Sequence, residues 1–113
     1  MSAQYKDIIL NYCKQNKGVS FAELNHEFAK AGLEYKGDYV VQSNKLENIV
    51  FWHGWNKEAA EVIQELLKDD VLRLEPCQPF IYMVDGVLPD LPIAKREMSY
   101  KAPHWVPCVL NLV

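Results

Sequence analysis

An aromatic run in the middle of the sequence contains Phe51, Trp52, His53 and Trp55. Its β-branched and aromatic composition predicts a strand, in which successive side chains point to opposite faces. One face of such a strand must be buried, and the other then presents a large ring near the surface. An exposed ring stacks on a nucleobase of any sequence, which stabilises the contact by about 1–3 kcal/mol per base.

Two interpretations of the aromatic side chains are open. The plainer one is core packing, because a domain of 113 residues needs large side chains in its interior. The other is a pocket for bases, with cationic side chains along the phosphates. The base-contact candidates are Trp52, Trp55, Tyr39, Tyr82 and Phe51, and the phosphate-contact candidates are Lys36, Lys45, Lys57 and Arg73.

The sequence contains no recognisable catalytic or metal-binding pattern. The histidines and cysteines share no ligand spacing, and no phosphate-binding loop, dinucleotide-binding motif or nucleophile elbow occurs. Glu58, Glu61 and Glu65 stand at helical spacing, which is typical of a solvated helix face. We therefore expect no enzyme activity, metal or cofactor. Three scattered cysteines fit reduced thiols in a cytoplasm.

Three helices are predicted from apolar periodicity and capping signals. Residues 3–15 show helical spacing of apolar side chains. Ser20, with Glu23 three positions later, predicts a capping box at the start of the second helix. Asn56 predicts the start of the third helix, over roughly 57–69.

The predicted strands complete a fold class. The link over 33–55 contains the predicted strand 49–55 and is longer than most connections between helices. Two further runs, 71–75 and 80–84, predict a β-hairpin. Two helices, a strand, a third helix and a hairpin follow the order of a winged helix-turn-helix. We therefore expect an α+β fold with three main helices, a β-hairpin wing and an aromatic, strand-containing insertion.

The charge distribution argues against recognition of a DNA duplex by the third helix. The net charge is −3, and residues 56–93 carry three basic and eight acidic residues, a net charge of −5. A typical winged helix places its third helix in the major groove. Here residues 57–70 carry two lysines, five acidic residues and no arginine. Because phosphate contact supplies most nucleic-acid affinity, this helix is poorly suited to a duplex.

From Val87 onward, prolines interrupt the sequence and the end of the chain becomes basic, with a net charge of +2 over 94–113. This composition is typical of a mobile segment that orders on a partner. We expect a winged-helix domain over 1–93 and a Pro-rich, partner-docking tail over 94–113. The partner-contact candidates are Lys95, Arg96, Trp105 and Leu110.

Three segments carry a resemblance to a known family: Asn48–Asn56, Ile81–Gly86 and Pro103–Asn111. Together they resemble the small winged-helix single-stranded-DNA-binding proteins of staphylococcal cassette chromosome elements, over nearly the whole chain. The resemblance implies a cooperative, sequence-tolerant binder of single strands, encoded near replication genes of a mobile element. It also implies a hydrophobic pocket that ordinary winged helices lack, and a tail that serves other proteins.

We therefore expect a single-stranded-DNA-binding protein linked to replication of a mobile genetic element. A replication helicase or polymerase is the expected partner of the tail, and oligomers on DNA are compatible with this function. No apolar run approaches the roughly 20 residues of a membrane span, and we expect a cytoplasmic location. The alternative is a winged-helix module that binds only proteins. The −5 block over 56–93 would favour that alternative if it surrounds the pocket.

Overall fold

The computed structural model describes residues 2–85, 89–95 and 98–113. Its elements in chain order are α1 (Ser2–Gln15), β1 (Val19–Ser20), α2 (Phe21–Lys30), β2 (Lys36–Gln42), β3 (Ile49–Trp55), α3 (Lys57–Lys68), β4 (Leu72–Pro76), α4 (Phe80–Asp85), β5 (His104–Trp105) and β6 (Cys108–Leu112). The α+β class is confirmed. None of the helices in the described ranges is long and apolar enough to cross a membrane.

Local signals place the first three helices where the sequence predicts them. The Ser20 side chain accepts a hydrogen bond from the Glu23 backbone N–H at 3.0 Å, and Glu23 Oε1 accepts one from the Ser20 N–H at 3.2 Å. This reciprocal pair satisfies two N–H groups that the helix leaves free. Asn56 caps α3 with one such bond, because its Oδ1 accepts from the Ala59 N–H at 2.9 Å. The predicted capping box and the predicted Asn56 cap are both confirmed.

The strands form two small sheets within the described residues. The first has the order β1-β6-β4, and both of its pairings are antiparallel. The second has the order β2-β3-β5, in which β2 pairs antiparallel and β5 parallel with β3. The predicted strand over 49–55 is confirmed as β3, whereas β2 had no counterpart in the sequence prediction.

The prediction that residues 80–84 form the second strand of a hairpin is wrong, because this segment is helix α4. Pro79 starts the turn: its carbonyl oxygen accepts from the backbone N–H groups of Tyr82 and Met83. Helical geometry buries Tyr82 completely while Phe80 and Val84 remain exposed. A strand would have turned Phe80, Tyr82 and Val84 to the same face. Tertiary packing of Tyr82 thus outweighs the β-propensity of the segment.

The prediction of a separable tail over 94–113 is wrong from His104 to Leu112. Strand β6 lies in the centre of the first sheet, and β5 joins the second. Trp105 and Leu110 are buried, with 2% and 0% of their surface exposed. Apolar side chains of this segment complete the core, and their burial outweighs the proline-rich composition that predicted mobility.

Side chains from both ends of the chain build the core. Ile9 from α1, Phe28 from α2, Ile63 from α3 and Leu110 from β6 are each fully buried. A close approach fixes where β2 begins: a Cβ atom at Gly37 would lie 2.6 Å from the Asn56 Cα. The first residues of β2 are thereby held against the start of α3, and the β2–β3 hairpin lies beside that helix.

Candidate functional site

Three of the predicted base-contact residues are buried in the core. Trp52, Trp55 and Tyr82 expose 2%, 1% and 0% of their surface. The Trp52 ring stacks between Phe21 and Tyr82, with centroid distances of 5.7 and 5.2 Å. A base has no access to these rings, because other aromatic side chains already occupy their faces. The prediction that Trp52, Trp55 and Tyr82 stack on bases is therefore corrected, and for these three the core interpretation holds.

The polar atoms of the buried aromatic residues are mostly satisfied inside the protein. Tyr82 donates its hydroxyl hydrogen to the Cys108 carbonyl oxygen at 2.6 Å, and burial raises the pKa of this phenol well above its usual value. Trp55 Nε1 donates to Asn25 Oδ1 at 2.6 Å. Trp52 Nε1 is buried with no hydrogen-bond partner among the described residues. These bonds fix the rings in place and mark them as structural.

Phe51 points away from this cluster, because it precedes Trp52 on the same strand. Its half-buried ring lines a cavity of about 190 Å³ between the β2–β3 turn and the C-terminal part of α3. We call this space the Phe51 cavity. Its lining residues are Gln42, Ser43, Asn44, Lys45, Phe51, Gln64, Leu67, Lys68 and Leu74.

The Phe51 cavity combines an apolar floor with polar side chains. Phe51, Leu67 and Leu74 supply the apolar surface, and the amides of Gln42, Asn44 and Gln64 supply donors and acceptors. An apolar pocket with a few convergent polar groups is the usual form of a ligand site. This cavity can therefore hold a small planar group with polar edges.

Two lysines flank the Phe51 cavity. Lys45 and Lys68 are both exposed, and neither forms an ion pair with another residue in the described ranges. By contrast, Lys57 Nζ lies 3.9 Å from Glu61, and Arg73 Nε lies 2.7 Å from Glu75. Of the predicted phosphate contacts, Lys45 is therefore at the cavity, whereas Lys57 and Arg73 each face a neighbouring carboxylate at the surface.

On the α3 side of the Phe51 cavity, acidic side chains lie close to Lys68. Glu65 and Asp69 line a depression that adjoins the Phe51 cavity and shares Lys68 with it. A polyanion at the cavity would be repelled from this part of α3 and attracted toward Lys45 on the turn. The geometry therefore favours an approach from the β2–β3 hairpin.

The C-terminal segment holds the β2–β3 turn in position. The Asn48 side-chain amide donates to the Tyr100 carbonyl oxygen at 2.7 Å, and the His104 backbone N–H donates to the Asn48 carbonyl oxygen at 2.8 Å. The Glu47 N–H donates to Ser99 Oγ at 3.1 Å. Within the turn, Ser43 Oγ accepts from the Lys45 N–H at 3.1 Å. These bonds order the turn that carries Lys45.

The predicted partner-contact residues do not form one surface. Trp105 and Leu110 are buried, and Trp105 Nε1 donates to the Phe51 carbonyl oxygen at 3.1 Å. Their proposed docking role is corrected, since core side chains are not available to a partner. Lys95 is exposed, and Arg96 lies outside the described residues.

Tyr39 and Lys36 are the remaining candidates, and both are exposed on β2. The sequence prediction did not include Gln64 and Lys68, because their position on α3 gives no sign that they face the β2–β3 turn. Within the described ranges, no cluster of His, Cys, Asp or Glu could hold a metal ion.

Comparison with known proteins gives no family to which the chain can be assigned. No family, curated protein or solved structure matches it. Its function is therefore inferred from the Phe51 cavity and from the sequence.

Proposed function

We propose that this protein binds single-stranded DNA with little dependence on sequence. The observation that carries the proposal is the Phe51 cavity, which adjoins two lysines with no ion pair in the described ranges. An unstacked base enters the cavity against Phe51, and the backbone phosphates lie mainly beside Lys45, because Glu65 and Asp69 flank Lys68. Stacking of a base on an aromatic ring and phosphate contact with lysine are the two main contributions to such binding.

Amide side chains explain why the site would tolerate different bases. Gln42, Asn44 and Gln64 each offer both a donor and an acceptor. Rotation of an amide exchanges these groups, so that the same side chain can meet bases with different polar edges. A duplex cannot deliver a base into the cavity without unpairing it, which costs a few kcal/mol. Residues 57–70 carry two lysines and five acidic residues, a net charge of −3. This negative charge on α3 repels the phosphates of a duplex.

We further propose that the fold is a winged helix whose wing strands are β4 and β6. The first three helices and β1 have the order expected of that fold, and β4 and β6 pair antiparallel. Residues 77–107 would then be a long insertion into the wing. The resemblance to single-stranded-DNA-binding proteins of cassette chromosome elements supports the same function and a role in replication of a mobile element.

Fluorescence anisotropy with a labelled oligo-dT and a duplex of equal length tests the proposal. We expect preferential binding of the single strand, weaker at higher salt, and a loss of affinity of about 5- to 150-fold for Phe51→Ala. Phe80→Ala is the matched control, since Phe80 is an exposed ring on α4. Equal binding of wild type and Phe51→Ala would refute the role of the cavity.

The second candidate is a protein-interaction module, and one observation favours it. Phe80, Met83 and Val84 follow helical spacing on α4 and expose 59%, 57% and 81% of their surface. Exposed apolar groups at this spacing are typical of protein contacts. If the protein binds neither oligonucleotide in the anisotropy experiment, this candidate becomes the better one.

A further inference from the structure

We infer, on the basis of the proposed function, that the strand-binding site continues from the Phe51 cavity across the β2–β3 turn to a second base position. This position is the stacked pair of rings of Tyr100 and His104, which we call the ring pair. One unstacked base would lie against Phe51 and another against the ring pair, and the phosphates between them would pass Lys45 on the turn. The site would then hold at least two nucleotides.

Strand pairing places His104 on the same side of the second sheet as Phe51. Ile49 and Phe51 are two residues apart on β3 and therefore point to one face, opposite Trp52. β5 pairs parallel with β3, and His104 is the partner of Ile49 in this pairing. Because paired residues turn their side chains to the same face of a sheet, His104 shares the face that carries Phe51.

Contacts in the core support this orientation. Trp105, which follows His104, packs against Tyr82 with ring centroids 5.2 Å apart. Trp52 packs against the same Tyr82 ring, also at 5.2 Å. Both tryptophans thus turn to the core face of the sheet. His104 and Phe51, each one position earlier on its strand, therefore turn to the other face.

The ring pair has surface to which a base can bind. The ring centroids of Tyr100 and His104 lie 3.9 Å apart, with 21° between the ring planes. His104 Nδ1 also lies 2.8 Å from the Ala102 carbonyl oxygen, and this contact holds the imidazole in place. Both rings are half-buried and so keep part of their surface exposed. Partly exposed aromatic rings of this kind bind a base of any sequence by stacking.

The β2–β3 turn connects the two base positions. Residues 42–48 line a depression on the turn, and residues 42–45 also line the cavity. At the other end of the depression, the Glu47 carbonyl oxygen accepts from the Tyr100 N–H at 3.1 Å, and the Asn48 side-chain amide donates to the Tyr100 carbonyl oxygen at 2.7 Å. The ring pair is therefore bonded to the residues over which a strand would leave the cavity.

Charge favours this path for a polyanion. Lys95 and Lys101 are exposed beside the ring pair: the Lys95 backbone N–H donates to the Tyr100 hydroxyl oxygen at 3.2 Å, and Lys101 follows Tyr100 in the chain. Neither lysine side chain forms an ion pair with a residue in the described ranges. Together with Lys45 they oppose a single exposed carboxylate on the turn, that of Glu47. Acidic groups lie on the α3 side of the cavity, so that phosphates are drawn toward the turn instead.

The separation of the two positions selects an unstacked strand. His104 lies about 7 Å from Phe51 along β3 and about 5 Å across to β5, a distance of roughly 8 Å between them. The intervening Ile49 is only 3% exposed and offers no surface to a base. Successive bases in a stacked strand rise by only about 3.4 Å. Neighbouring bases must therefore separate to reach both positions, which a single strand allows and an intact duplex does not.

Fluorescence anisotropy of a labelled oligo-dT dodecamer with the full chain tests the second position. We expect Tyr100→Ala to lower the affinity by about 5- to 150-fold, as for the loss of one stacked base. Tyr100→Phe, which keeps the ring, should bind like the wild type. Phe80→Ala is the matched control for an exposed ring outside the site, and thermal unfolding checks that each variant is folded.

Two charge variants test the path over the turn. Glu47→Gln removes the acidic group and should tighten binding of the dodecamer, less so at high salt because salt screens the repulsion. Lys101→Ala should make the slope of log K against log salt shallower by about 0.7. Lys57→Ala is the control, since Lys57 Nζ already lies 3.9 Å from Glu61. Unchanged binding by both test variants would refute this path.

The outcomes separate this inference from the proposed function. If Phe51→Ala weakens binding while the folded Tyr100→Ala does not, the second position is refuted and the cavity stands. Equal losses for Tyr100→Phe and Tyr100→Ala also refute the second position, because the ring would then not be the contact. If Tyr100→Ala weakens binding and Phe51→Ala does not, the role of the cavity fails, and with it an extension from the cavity. No binding by the folded wild type refutes both proposals.

Discussion

Tyr82 on α4 donates its hydroxyl hydrogen to the carbonyl oxygen of Cys108 on β6, at 2.6 Å. The same hydroxyl accepts the backbone N–H of Phe21 at 3.1 Å. One buried oxygen therefore connects α4, the central strand of the first sheet and the start of α2. The bonds explain why a segment with β-propensity is fixed as a short helix.

Replacement of Tyr82 by phenylalanine should destabilise the fold. The ring still fills its site, but the Phe21 N–H and the Cys108 carbonyl oxygen are each left without this hydroxyl as a partner. An unsatisfied buried group costs about 1–3 kcal/mol. Urea unfolding measures this destabilisation, and Tyr39→Phe is the control because the Tyr39 side chain is exposed. Equal stability of the two variants would contradict the anchoring role of the hydroxyl.

Gly37→Ala should also destabilise the protein. The added Cβ would lie 2.6 Å from the Asn56 Cα and 2.8 Å from the Trp55 carbonyl oxygen, and both are backbone atoms. Relief requires the hairpin to move away from α3, at a cost of about 1–3 kcal/mol. The midpoint of thermal unfolding reports the effect. Asp38→Ala, at the exposed neighbouring position, should leave the midpoint nearly unchanged.

Stability should fall as the pH rises above about 8.5, the usual pKa of a thiol in an unfolded chain. Burial, with a smaller contribution from Glu23, raises the pKa of Cys13 to about 11. Burial, with a smaller contribution from Cys77, raises the pKa of Cys108 to about 12. The unfolded chain loses these protons first, so that the free energy of unfolding is highest below this pH and decreases from there toward pH ~12.

Urea unfolding at several pH values between about 7.5 and 10.5 measures this dependence. Cys108→Ala should flatten the decrease, because it removes one of the groups whose pKa differs between the folded and unfolded chains. A variant with an unchanged slope would show that other groups control alkaline unfolding.

Removal of the cavity lysines should reduce the salt dependence of strand binding. For a single strand, the slope of log K against log salt becomes shallower by about 0.7 for each phosphate that the protein no longer neutralises. We expect the full change for Lys45→Ala and a smaller one for Lys68→Ala, because Glu65 and Asp69 flank Lys68. Lys57→Ala serves as the control, because its ammonium group already faces Glu61 at 3.9 Å. An unchanged slope in both test variants would place the phosphates elsewhere.

Deletion of residues 108–113 should abolish cooperative unfolding. The deletion removes the central strand of the first sheet, including the fully buried Leu110, and leaves β1 and β4 without a partner. Differential scanning calorimetry would show no transition. Removal of Val113 alone, which is 70% exposed, should keep most of the transition. A cooperative transition in the 108–113 deletion would show that the rest of the chain folds without this segment, as the sequence predicted for a separate tail.

Local signals explain which parts of the fold could be predicted. The capping groups at Ser20 and Asn56 lie within three residues of their partners, so the sequence alone identifies both helix starts. The pairing of β6 with β1 joins residues about ninety positions apart, and no short-range pattern specifies it. The exposed side chains of β2 likewise give no apolar alternation that would predict a strand.

The candidate site was predictable in kind but not in position. The aromatic run and Lys45 are visible in the sequence, and the apolar composition of β3 requires that one of its two faces be buried. Which side is buried depends on Phe21 and Tyr82, which are distant in sequence and pack on Trp52. Phe51 is left half-buried on the other side, at the cavity, for that reason.

The central position of β6 in the first sheet also affects when the protein can fold during its synthesis. Strand β4 ends at Pro76, and its partner β6 begins at Cys108. At about 5–20 residues per second, a ribosome needs roughly 2–6 s to synthesise the intervening residues. During that interval the nascent chain carries β1 and β4 with unpaired edges and an incomplete core. Until β6 is made, the edges of β1 and β4 are open to other chains and to chaperones, because an unpaired strand edge is a template for pairing.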